Sequence, residues 1–129
     1  MDLVWFARIL NSLLKEVNKE SYHKWNYNKE VIYPFLTYEF EHQSVDEVRD
    51  EFEISISMFD KGTSNLKLLE LENKLVNQLN RKKLFLDKCN IYIRTGRAFD
   101  IPTGNSNVQR RQMYISMKID WFKEDLDEN

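Results

Sequence analysis

Thr63-Ser64-Asn65-Leu66-Lys67-Leu68-Leu69-Glu70-Leu71-Glu72-Asn73-Lys74-Leu75-Val76-Asn77-Gln78-Leu79-Asn80-Arg81-Lys82-Lys83 is the stretch on which the fold turns. Leu68, Leu71, Leu75 and Leu79 recur at helical spacing, and Leu69 and Val76 widen the stripe. Lys67, Glu70, Asn73, Lys74, Asn77 and Asn80 lie mostly off it. The pattern predicts an amphipathic helix with one broad apolar face. Thr63 or Ser64 is placed to cap its start, because a side-chain oxygen there accepts from a free backbone N–H. Arg81, Lys82 and Lys83 fall near the expected end, where positive charge suits the helix dipole. Glu70 and Lys74 are spaced to pair across one turn.

Segments of period-two alternation lie on both sides of this helix. Upstream, Leu36, Tyr38 and Phe40 alternate with polar residues inside a first strand expected over Val31–Glu41, with Pro34 marking a strand start or an edge. Phe52, Ile54, Ile56 and Met58 alternate with Glu53, Ser55 and Ser57 in a second strand over Glu51–Asp60. Between the two lies a charged loop, His42–Asp50. Downstream, Asn90–Arg97 reads as a third strand. Gln109–Phe122 is the fourth and longest, with Met113, Ile115, Met117, Ile119 and Trp121 on one face. The segment Phe99–Val108 between them holds Pro102, Gly104, Asn105, Ser106 and Asn107, and reads as a long, flexible hairpin tip.

At the start of the chain, Asp2 can cap a helix running to about Glu20, with Leu3, Phe6, Ala7, Leu10, Leu14 and Val17 as its buried stripe. Trp5 and Ile9 fall off that stripe, which marks either a second contact surface or deeper burial of the helix. Ser21–Glu30 is polar yet aromatic, with Tyr22, His23, Trp25 and Tyr27, and reads as an irregular approach to the sheet. The expected order is helix, two strands, helix, two strands. That order fits an α+β fold, a mostly antiparallel four-stranded sheet with the helices packed on one face.

Size and composition agree with a single domain over residues 1–129, ending in an acidic tail at 123–129 that is expected to fray. Hydrophobic residues are 42% and charged residues 31% of the chain, enough for a core and against disorder. The net charge of −2 gives no global pull toward nucleic acid. Cys89 is the only cysteine, so no internal disulfide can form, and a reducing compartment fits. The N-terminal stretch lacks the basic region and apolar run of a signal peptide. No segment approaches the ~20 apolar residues of a membrane span. The expectation is a soluble product without a membrane partner.

Chemistry leaves few traces. Cys89, His23 and His42 show no metal-binding spacing, the three glycines make neither a dinucleotide fingerprint nor a phosphate loop, and no serine sits in a nucleophile motif. The pairs Glu39/Glu41 and Glu51/Glu53 fall on outward strand faces as solvated charges. We therefore expect no cofactor, no metal and no enzymatic activity. The basic cluster is the better candidate. Arg94, Arg97, Arg110 and Arg111 flank the hairpin tip from both sides and can gather at one end of the sheet. There they would meet phosphates, an acidic protein surface, or Asp100 and Asp120. An open sheet with a strand as long as Gln109–Phe122 also leaves unpaired edges, which oligomers use.

Taken whole, the chain resembles the small tail terminator proteins of long-tailed phages, also termed tail completion or head–tail joining proteins. The resemblance is carried by a short N-terminal helix and the entry Tyr33-Pro34-Phe35-Leu36-Thr37-Tyr38-Glu39. The Glu51–Asp60 strand, the Asn65–Lys83 helix, and a closing hairpin bearing Ile101-Pro102-Thr103-Gly104 and Arg110-Arg111 complete it. It implies a non-enzymatic virion protein of a phage or prophage, assembled in the host cytoplasm. Such a protein forms a ring, usually hexameric, that caps the tail tube, ends its growth and joins it to the head connector. The implied partners are other copies of the chain, the tail tube protein, a connector or neck protein, and DNA passing through the lumen. Trp5, Ile9, Arg94, Arg97, Asp100, Pro102, Arg110 and Arg111 are the candidate assembly contacts. Another neck, head-completion or minor capsid protein, or a small nucleic-acid-binding α+β domain, is the alternative.

Overall fold

A computed structural model of the chain describes residues 2–122. Helix α1 spans Leu3–Val17, and its first turn is closed by Asp2, whose carboxylate accepts from the N–H groups of Val4 and Trp5. It stops at Asn18, short of Glu20, where the backbone turns extended. Strand β1 (Ser21–His23) follows, then β2 (Phe35–Ser44), β3 (Arg49–Lys61), helix α2 (Leu66–Leu79), β4 (Lys83–Phe85), β5 (Cys89–Asp100) and β6 (Val108–Trp121).

The expected four-stranded sheet is not what forms. Six strands make one mixed sheet in the order β1-β2-β3-β6-β5-β4, curled into a half-barrel against two helices. At one edge β1 runs parallel to β2, pairing Ser21 with Leu36 and His23 with Tyr38. At the other edge β4 pairs antiparallel with β5. Each added strand is three residues long, too short to show a period of two. The first falls in the segment read as an irregular approach, and the second begins at Lys83, where the sequence places the end of the helix. The addition also removes the edge argument for β6. That strand pairs with β3 over its whole length and with β5 for most of it, while short strands blunt the rims.

The registers explain the core. Leu36, Met58 and Arg111 fall on one face, as do Tyr38, Ile56 and Met113, and Phe52, Met117 and Ile93. This face takes the helices. Phe6 stacks on Phe52 with ring centroids 3.5 Å apart and meets the edge of Phe40. Leu68, Leu71, Leu75 and Leu79 of α2 are all buried in the same cluster. The α2 boundaries differ from expectation. Its cap position is Asn65, Ser64 Oγ accepts from Leu66 N–H, and no basic residue lies in the last turn. Arg81 takes a left-handed turn and Lys83 already belongs to β4. The reversal is held by Arg81 N–H, which donates to the Ile93 carbonyl, and by Ile93 N–H, which donates to the Lys82 carbonyl.

Gly96 lies in an irregularity of β5 between Thr95 and Ala98. A Cβ there would stand 3.1 Å from the Tyr114 carbonyl oxygen, so glycine lets β5 and β6 close at this bulge.

Candidate assembly surfaces

Four arginines were expected to gather beside the hairpin tip. Strand alternation divides them instead. Arg110 and Arg111 are neighbours in β6 and point to opposite faces of the sheet.

Arg111 turns to the helix side. Its Nε donates to Glu72 Oε1 of α2 at 2.5 Å and its Nη1 to Asp100 Oδ1 at 2.9 Å. The hydrogen bond to Glu72 is the main reason its pKa lies above the ordinary arginine value, offset in part by burial. Arg111 is thus a tie between α2, β5 and β6 rather than an external contact, and Asp100 is one of its partners.

Arg110, Arg97 and Arg94 lie on the outer face, which no helix covers. Arg110 sits over the Phe59 ring at 5.5 Å and its Nη2 donates to Ser57 Oγ. Arg97 sits over Phe99 at 5.3 Å and Tyr114 at 5.8 Å. Gln112 lies between these two groups, buried, its amide bridging the hydroxyls of Ser55 and Ser57. Arg94 is exposed. The outer face is electrically divided. Glu39, Glu41, Glu51 and Glu53 cluster on β2 and β3, while Arg94, Arg97, Arg110 and Lys118 cluster on β5 and β6; the division is crossed at one end of the sheet, where Arg49 of β3 pairs with Asp120 of β6 at 2.7 Å and Lys118 reaches Glu51 at 4.0 Å.

Pro102 is exposed in the hairpin tip, expected to be the most flexible stretch. The tip is nevertheless tied. Thr103 Oγ1 reaches the carbonyls of Asn105 and Val108, Asn105 accepts from Asn107 N–H, and Gly62 N–H donates to the Asn107 carbonyl.

Trp5 and Ile9 are half-buried, packed against the core. They help to line a groove of about 950 Å³, lined also by Asp46, Phe85, Leu86 and Trp121. Trp5 meets Trp121 with centroids 5.6 Å apart. Behind Trp121 lies a buried carboxylate, Asp50. It accepts from Trp121 Nε1 at 2.7 Å and Ser44 Oγ at 2.9 Å, and pairs with His42 Nε2 at 2.7 Å. Burial pushes its pKa up, but these hydrogen bonds outweigh burial and hold it below the ordinary carboxylate value. Serine, histidine and aspartate meet here without forming a catalytic relay, because Ser44 donates to Asp50 and not to His42. The cluster fastens the β2–β3 hairpin to the end of β6. Cys89 is buried, which pushes its thiol pKa up and leaves it a weak nucleophile. Among the described residues no group of three or more His, Cys, Asp or Glu side chains converges as metal ligands would.

Sequence reasoning missed Phe85, Leu86 and Trp121 as surface residues. The signal available was the run Leu84-Phe85-Leu86, three consecutive apolar residues just past a helix, which a one-sided strand cannot bury together.

No protein-family model matches the sequence, and no curated protein matches it. A solved structure does match. It is a chain from the virion of native gene transfer agent (GTA) particle, aligned over 83% of this chain and 84% of that one with a TM-score of 0.64 and 9% identity. At that identity, what is shared is the fold. No helix among the described residues is long and apolar enough to cross a membrane.

Proposed function

We propose that the chain is a structural subunit of a phage-type virion, acting as a ring that caps the tail tube and joins it to the head connector. The observation that carries this reading is the end-to-end likeness to a chain of a GTA virion particle, which covers more than four-fifths of both chains. One feature of the surface supports it. The outer face divides into a mainly acidic and a mainly basic side, and a head-to-tail contact between unlike sides of successive copies is heterologous, which makes a ring when the rotation between copies closes. On this reading the subunit works by contact and performs no chemical step. In the ring, the basic half of each subunit meets a neighbour's carboxylates or faces the DNA in the lumen. Ring size is expected to be six.

The test is direct. Purified protein added to polymerising tail tube protein should shorten the tubes and appear as a ring at one end in electron micrographs. Tubes of unchanged length and bare ends overturn the reading. A second reading, another neck or head-completion protein, draws on the same likeness, since the similar chain is described only as part of the particle. Binding to connector protein with no binding to tubes would favour it.

A further inference from the structure

Among the described residues, the large apolar side chains that stay exposed fall, apart from Leu66, into two groups. One is the loop 24–34 between β1 and β2, where Trp25 is 63%, Tyr27 83% and Ile32 58% exposed. The other surrounds the Trp5/Trp121 groove. Phe85, 74% exposed, and Leu86 line it, while Leu3, Val4 and Val45 each adjoin a lining residue in the chain. Patches of this kind mark contact sites.

The two groups carry opposite charge. Lys24 and Lys29 lie in the loop with Glu30. The groove is rimmed by Asp2, Asp46, Glu47 and Asp87, against Lys88 alone. They also lie apart. The loop leaves β1 at the sheet edge and returns at Phe35, while the groove sits where the α1 start, the β2–β3 hairpin and the β4–β5 turn meet. One copy can therefore offer its loop and its groove at the same time.

We propose that the groove of one copy receives the 24–34 loop of a second copy. Trp25 and Tyr27 enter between Trp5, Trp121 and Phe85, and Lys24 and Lys29 face the acidic rim. The chain's own tail is the wrong sign for this seat, since Glu124, Asp125, Asp127 and Glu128 lie within it. The inference rests on the ring reading and adds to the outer-face contact a second one between neighbours.

Sedimentation of two variants and their mixture tests it. The loop variant is Trp25→Ala with Tyr27→Ala, and the groove variant is Phe85→Ser with Leu86→Ser; all four side chains are exposed or at the groove surface, so both should keep the wild-type circular dichroism. Each alone should need about thirtyfold or more concentration to associate, as for loss of an aromatic anchor. Mixed in equal amounts they should form a one-to-one dimer and stop there, because each supplies the half the other lacks. A charge-based pair guards against misfolding. Lys24→Glu with Lys29→Glu should abolish association, and a partner carrying Asp46→Lys with Glu47→Lys should restore it. Rings formed equally well by wild type and both variants overturn this contact and leave the ring reading standing. Complementation with only open chains upholds the contact and sinks the ring. A wild type that stays single at all concentrations, or a mixture that never pairs, overturns the contact outright.

Discussion

Arg111 holds two carboxylates from different elements with one guanidinium, and this decides what its loss should cost. Its side chain is 15% exposed, Glu72 24% and Asp100 57%. A fully exposed pair contributes ~0–1 kcal/mol and a buried one broken on one side costs ~3–5 kcal/mol. Arg111→Ala should fall between, at about 1–3 kcal/mol in urea denaturation. Arg110→Ala loses a cation–π contact and one hydrogen bond at the surface, and should cost less than ~1 kcal/mol. The parity of adjacent strand residues was enough to tell the two apart, and the grouping of four arginines overlooked it. Asp50 predicts a pH effect. Its folded pKa lies below the ordinary 3.8, so the unfolded chain takes up its proton first as pH falls. The stability it contributes is whole above that value and drains away below it, as pH drops through the folded pKa. Asp50→Asn should lower the denaturation midpoint at pH 7 and flatten its fall between pH 4 and pH 3; parallel curves for wild type and variant would contradict this.

At the scale of elements, the long pieces were legible because their periods are long enough to count. The leucine stripe of α2 and the alternating faces of β2, β3 and β6 all appear in the residues the pattern named. The three-residue strands did not show, since tertiary pairing and not local preference makes them strands. Val31 and Ile32 were read into a strand for their composition, yet they lie in the exposed loop before Phe35. Two substitutions test this level. Leu75 is fully buried, so Leu75→Ala should cost ~2–5 kcal/mol. Gly96→Ala forces a methyl against the Tyr114 backbone, which cannot swing aside as a side chain would, and should cost ~1–3 kcal/mol. A melting temperature unmoved by Gly96→Ala would mean the bulge relaxes freely.

For the whole molecule, the divided charge of the outer face matters more than the net value of −2. A net charge near zero said only that nucleic acid exerts no general pull. It hid a face with a carboxylate-rich side and a guanidinium-rich side, the feature the proposed ring draws on. Arg94→Glu with Arg97→Glu should keep the fold and cost no more than ~1–2 kcal/mol of unfolding free energy, the loss of Arg97 from the Phe99 and Tyr114 rings. The same variant should weaken self-association measured by sedimentation at low salt, and the difference should shrink in 1 M salt. Equal association of both proteins at low salt would remove the outer face from the assembly.

Asp2 and Phe122 both line the groove between Trp5 and Trp121. A bulky label coupled at Asp2 or Phe122 would therefore sit at that mouth and block it, whereas one carried on the Thr103–Asn107 tip, at the opposite end of β6, would leave the groove open.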